Sequence, residues 1–291
     1  MSYIGNPMNI FEAVLLGIIQ GLTEFLPISS TAHLTLAGKL FQFIDVRHPE
    51  VWTHFIAVMQ LGTLAAVLAY FRQDVWGMTT SLLRDLKPRP AGERSRRFGP
   101  QSWMALAIIV GTVPVVVVGV LFRHDIEGAF TKTTLVLISS LVGLACLLWI
   151  AEIVSRHDRS LEQLTMRDAF LIGCAQALAL IPGASRSGTT LTAGLFLGLR
   201  REAAARFSFL LSIPAVLGSG LFELARIDRS VFTLGLDNLL VATIVSAVSG
   251  YAAIAWLLRY LMRNTAMVFV WYRIALGALL AVSVLTGWID P

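Results

Sequence analysis

Charge is scarce in this sequence. Asp, Glu, Lys and Arg make up only 14% of its 291 residues, whereas 56% are hydrophobic. Mean hydropathy is +0.73. That excludes an ordinary water-soluble domain and points to a chain built for lipid. Cysteine is nearly absent. Cys146 and Cys174 both fall in apolar segments and read as small buried hydrophobes, not as a disulfide. There is no Cys/His cluster of metal-binding spacing. Residues 1–9 contain no Lys or Arg; without a basic leader the first apolar stretch is expected to stay in the mature chain. The formal net charge of +5 does not imply nucleic acid. The basic residues collect in loops beside apolar runs, where the positive-inside rule accounts for them.

What is present is a series of long apolar stretches. Six fit single crossings: Val51–Tyr70, Trp103–Phe122, Thr133–Val154, Ala204–Leu224, Leu236–Leu258 and Met267–Trp288. Two others, Ile10–Phe41 and Ala169–Leu199, are too long for one crossing and are interrupted by Pro, Ser and other polar residues. They read as re-entrant helix–loop–helix units, because irregular backbone survives at membrane depth only inside protein or beside a wet cavity. An internal repeat supports this. At an offset of 156, Gly17, Gln20, Leu22, Ser29, Ala37 and Gly38 meet identical residues, and Thr31 meets Ser187. Three full spans lie between the copies, so the second copy is inverted. The expected fold is an all-α integral membrane protein, with six transmembrane helices and two re-entrant regions in an inverted-topology repeat. One membrane domain covers 1–291, with repeat one about 10–154 and repeat two about 168–288.

Charge sets the expected direction. The loop 71–102 carries Arg72, Arg84, Lys87, Arg89, Arg94, Arg96 and Arg97, which places it in the cytoplasm and both termini outside. The first broken region then enters from the periplasmic face, to which the pocket is expected to open. The run ERSRR (93–97) reads as a solvated loop that touches anionic lipid. Glu152 and Glu223, near span ends, are expected to face headgroups or solvent.

Ionisable groups at membrane depth are costly and mark function. The stretch EFLPISSTAHLTLAG (24–38) holds several. His33 can act as acid or base. Ser29 and Ser30 are candidate nucleophiles. Glu24 can accept a proton, orient His33 or hold a hard cation, and Gln20 lies four residues before it on the same helical face. The second broken region holds PGASRSGTT (182–190). There Arg186 offers a guanidinium fork to an oxyanion. Ser185, Ser187, Thr189 and Thr190 add hydroxyls, and Gly183 and Gly188 permit close backbone approach. Arg273, inside the last span, is either a second contact to a diphosphate or a buried partner for backbone carbonyls. Gln60 either lines the pocket or pairs helices through hydrogen bonds, the second being preferred. Nucleophile, base and anion cradle together fit phosphoryl transfer. A transporter or flippase of polyprenyl phosphate lipids remains the competing class, because broken helices at the midplane also serve carriers.

QGLTEFLPISSTAH and PGASRSGTT resemble the two signature regions of undecaprenyl-diphosphate phosphatases of the bacitracin-resistance type. The resemblance extends to FIAVMQLGTLAAVL, FSFLLSIP and YRIALG, and so over nearly the whole chain. It implies a multi-pass bacterial inner-membrane hydrolase that converts undecaprenyl diphosphate to the monophosphate and depends on a divalent cation, Mg2+ or Ca2+. It implies roles in peptidoglycan synthesis, cell shape and resistance to bacitracin. By that resemblance Glu24, Ser30, His33 and Arg186 are catalytic. Glu24 and Gln20 form the metal site, with Gln20 standing where many members carry an acid. Ser29, Thr31, Ser185, Ser187, Gly188, Thr189, Thr190 and Arg273 are the expected substrate contacts. The expected partners are the polyprenyl diphosphate and membrane lipids; a homodimer is left open.

Overall fold

The computed structural model describes residues 8–41, 43, 49–87, 98–122, 133–225 and 235–288. The ERSRR run and both chain termini lie outside the described residues. Within them the chain is helical, and no strand occurs. Six helices are long and apolar enough to cross a membrane: α3 (Pro49–Tyr70, apolar from Trp52), α5 (Pro100–Leu121), α6 (Thr134–Val154), α9 (Arg201–Leu224), α10 (Leu236–Leu261) and α11 (Met267–Leu285). They coincide with the six stretches read from the sequence.

The two broken regions are helix pairs. The first is α1 (Ile10–Phe25) and α2 (Ser30–Leu40); the second is α7 (Met166–Leu178) and α8 (Arg186–Phe196). None reaches the roughly 20 residues that a crossing needs. Local geometry repeats at the 156-residue offset. Asn9 and Glu12 form a capping box on α1, and Thr165 and Asp168 form one on α7. Ser29 caps α2 through the Ala32 N–H, and Ser185 caps α8 through the Gly188 N–H. Both serines hold positive φ, 75° and 67°, a conformation that costs a non-glycine residue about 1–3 kcal/mol. Past each second leg, the Phe43 and Leu199 amides donate to the Gly38 and Gly194 carbonyls.

The pairs are fastened across the chain. α1 packs on α10, and α7 packs on α5. Close contact requires glycine. A Cβ on Gly17 would stand 2.6 Å from the Ala242 carbonyl oxygen, and one on Gly173 would run into the Gly111 backbone. Small residues that admit a neighbouring backbone are the usual basis of helix association in lipid.

Helix breaks strand carbonyls, and Arg273 collects them. It is 1% exposed. Nη1 donates to the Pro27 and Ala184 carbonyls, Nη2 to those of Ser140, Gly183 and Ala184, and Nε to that of Leu141, at 3.1–3.3 Å. One side chain on α11 thus joins both breaks to α6.

Three expectations change. Residues 72–86, read as loop, form helix α4 (Arg72–Leu86), with Trp76, Leu83 and Leu86 exposed on an otherwise polar helix. The period of this short stretch was hidden by its charges. Asp85 at its end accepts from the Gly99 N–H and the Ser102 hydroxyl, which hold its carboxyl below the usual range. Cys146 and Cys174 are exposed, not buried, because the outer face of a membrane helix is as apolar as its inner face. Glu152 is buried. It accepts a two-pronged contact from Arg201 at 2.7–2.9 Å and the Ala266 N–H at 2.5 Å, joining α6, α9 and α11.

Two substitutions test this account. Gly173→Val is expected to destabilise the detergent-solubilised protein by about 1–3 kcal/mol or more through overpacking; unfolding followed by tryptophan fluorescence measures it. Arg273→Met strands carbonyls at about 1–3 kcal/mol each and is expected to lower the melting temperature more than Arg273→Lys. Equal melting of wild type and Arg273→Met would refute the anchoring role.

Candidate active site

Pro27 and the strained Ser29 stop α1 and start α2 within a few residues, so Glu24 near the end of α1 meets Ser30 at the start of α2. The Ser30 hydroxyl donates to Glu24 Oε2 at 2.7 Å. Gln20, one turn earlier, donates through Nε2 to the same oxygen at 3.2 Å. The other carboxylate oxygen, Oε1, accepts from Arg186 Nη2 at 2.8 Å. Arg186 is the first residue of α8, so this ion pair links the two breaks. Glu24 is only 7% exposed, and screening by water is correspondingly weak. Ser187 adds a second tie, donating to the Leu26 carbonyl at 3.0 Å.

His33 sits one turn into α2. Its Nδ1 lies 2.7 Å from the Ser29 carbonyl oxygen. A carbonyl only accepts, so Nδ1 carries the proton and Nε2 has the lone pair. Tyr272 Oη stands 2.6 Å from Nε2, and the two rings stack with centroids 5.6 Å apart. Tyr272 is a site neighbour that the sequence reading passed over. Its only signal was its place beside Arg273 in WYRIALG.

The remaining candidates divide. Thr31 is exposed beside Ser30, and Ser29 is buried at the break. Ser185 and Ser187 hydroxyls lie 3.2 Å apart at the start of α8. Thr189 and Thr190 donate to the Arg186 carbonyl, and Thr190 also meets the Ser208 hydroxyl. Gly188 lies against Arg273, whose Nη1 would stand 2.9 Å from an added Cβ. Every hydrogen bond that Arg273 makes ends on a backbone carbonyl, which is the second of the two roles considered for it. The first amides of α2 and α8 have no acceptor within their own helices; both termini carry positive partial charge toward the cluster.

A cation would find oxygen donors here. Gln20 is fully buried, and its Oε1 has no hydrogen-bond partner among the described residues. It lies beside a carboxylate with lone pairs to spare. Among the described residues no group of three or more His, Cys, Asp or Glu gathers. An ion held by Glu24 and Gln20 would therefore take its remaining ligands from water and substrate, as Mg2+ commonly does. A cleft of about 1260 Å3 between α4, α5 and the start of α9, lined by Trp103, Arg200 and Arg206, is separate from this cluster.

Residues 13–279 match the family described as bacitracin resistance protein BacA. The chain is 50% identical to a protein named undecaprenyl-diphosphatase from Syntrophobacter fumaroxidans, over 94% of this chain and 96% of that one. It is 48% identical to the undecaprenyl-diphosphatase of Myxococcus xanthus, over 98% and 92%, and 45% identical to that of Chlorobaculum tepidum, over 98% and 100%. With a match of that extent, spanning both broken helix pairs and the last membrane helix, the chain belongs to the bacitracin resistance protein BacA family.

Proposed function

We propose that this protein hydrolyses undecaprenyl diphosphate to undecaprenyl phosphate and inorganic phosphate, and so confers resistance to bacitracin. One observation carries the chemistry. The Glu24 carboxylate holds the Ser30 hydroxyl on one oxygen and Arg186 on the other. A nucleophile, its base and an anion-binding cation thus share one group. A carrier of phosphate lipids has no use for the first two.

Arg186 and the amides at the starts of α2 and α8 hold the terminal phosphate. Ser30 Oγ attacks its phosphorus in line while Glu24 Oε2 takes the hydroxyl proton. The P–O bond to the bridging oxygen breaks, and undecaprenyl phosphate leaves as an anion. Water then attacks the phosphoserine, His33 Nε2 accepts its proton, and inorganic phosphate departs as Ser30 regains a proton from Glu24. Glu24 offsets the charge of Arg186, and Arg273 is committed to carbonyls. A diphosphate entering here therefore meets little net positive charge. A divalent cation held by Glu24 and Gln20 would supply the charge neutralisation that phosphoryl transfer needs.

The broken helix pairs are proposed to be re-entrant halves of an inverted repeat, about 10–154 and 168–288. The shared capping boxes and strained serines 156 residues apart support this. The basic loop around α4 supports a cytoplasmic placement of that end. Both termini and the pocket mouth are then periplasmic. A homodimer is compatible with this reading but not required by it.

The test is phosphate release from C55 diphosphate in detergent. EDTA is expected to abolish release and Mg2+ or Ca2+ to restore it. Ser30→Ala and Glu24→Gln are each expected to lose about 10²–10⁴ in kcat. Acid quench with label in the terminal phosphate should trap phosphoserine at Ser30. No release from folded wild type would overturn the proposed activity; full activity of Ser30→Ala would overturn the serine step and leave water as nucleophile.

A further inference from the structure

Adjacent residues on α11 do different work. Arg273 points into the protein and is 1% exposed, whereas Tyr272 is 44% exposed at the mouth of the Glu24 cluster. The carbonyls that hold Arg273 come from both breaks and from α6, so they fix the height and rotation of α11 at this level. The Tyr272 hydroxyl is thereby delivered to His33 Nε2 at 2.6 Å, with its ring stacked on the imidazole at an interplanar angle of 10°. On the other side, the strained Ser29 presents its carbonyl to Nδ1 at 2.7 Å. An imidazole held at both nitrogens and on one face keeps one tautomer and one orientation.

We infer that Tyr272 is the positioning residue of His33: by donating its hydroxyl to Nε2 and stacking on the ring, it holds in one orientation the Nδ1–H imidazole that the Ser29 carbonyl selects, with its lone pair toward the pocket. This rests on the reading of His33 as the base for the attacking water. During turnover the water takes the place of the hydroxyl on Nε2, which requires only a small displacement of a half-exposed ring. Tyr272 itself transfers no proton in the net reaction. Nothing else among the described residues hydrogen-bonds to Nε2, so loss of the hydroxyl leaves the tautomer set from the Ser29 side alone.

The experiment uses full-length protein in detergent with 15N-labelled histidine. His33 signals are assigned by their loss in His33→Gln. Wild type is expected to show a single tautomer, protonated at Nδ1. Tyr272→Phe keeps the ring and is expected to keep the melting temperature and the Nδ1–H tautomer that the Ser29 carbonyl sets, to show an Nε2 resonance broadened by exchange between ring orientations, and to lose about tenfold in kcat with KM nearly unchanged. Wild-type kcat in Tyr272→Phe, or a lowered kcat with an unbroadened Nε2 resonance, would overturn the inference while leaving His33 as base. Full activity of His33→Gln would overturn both.

Discussion

A helix that stops at membrane depth leaves carbonyls with no water to bond. One guanidinium meets much of that constraint here, with the Ser187 and Ser140 hydroxyls taking the Leu26 and Pro182 carbonyls. Arg273 has five donors and no competing carboxylate, and it spends them on carbonyls from the two breaks and α6. Its contacts to Pro27 in one break and to Gly183 and Ala184 in the other hold together the two segments that bring Glu24 to Arg186. The placement of the candidate cluster thus goes together with backbone satisfaction. It also explains why a fully buried arginine belongs in the last membrane helix with no acid beside it.

The six spans were legible because length and apolar content suffice to define a crossing. The two broken regions were legible from excess length and interrupting polar residues. The pairing of the capping boxes was not. Asn9 with Glu12 and Thr165 with Asp168 do the same work, yet no residue is shared, so identity at a fixed offset misses them. Glu24, Ser30, His33 and Arg186 were chosen by side-chain chemistry. Which of them touch depends on the backbone turn at Ser29 and on a contact across 162 residues, which no local pattern encodes. Tyr272 escaped notice for a related reason: a half-exposed tyrosine in a membrane helix resembles an ordinary interfacial aromatic. The carbonyl contacts of Arg273 could not be read from the sequence, because they depend on where its donors end.

The cluster divides its labour by helix. The first pair supplies the side-chain acceptors, namely Glu24, Gln20 Oε1 and the His33 lone pair, besides the amides at the start of α2. The second supplies donors, namely Arg186 and the start of α8. The two helix pairs therefore do not duplicate a site; at the 156-residue offset Ser30 stands where the second pair has Arg186. Serine caps both second helices at positive φ.

The fastening of α1 to α10 and of α7 to α5 has a consequence for how the protein is made. A chain emerging from the ribosome inserts α1 and α2 long before their packing partner exists. The Pro27 carbonyl waits longer still, until Arg273 arrives with the final membrane helix. Through most of synthesis the first polar hairpin must therefore shelter against the translocation machinery, bound water or the headgroup layer. A nascent chain arrested before the last span thus carries every residue of the first motif but lacks the Arg273 and Tyr272 contacts that tie it to α11.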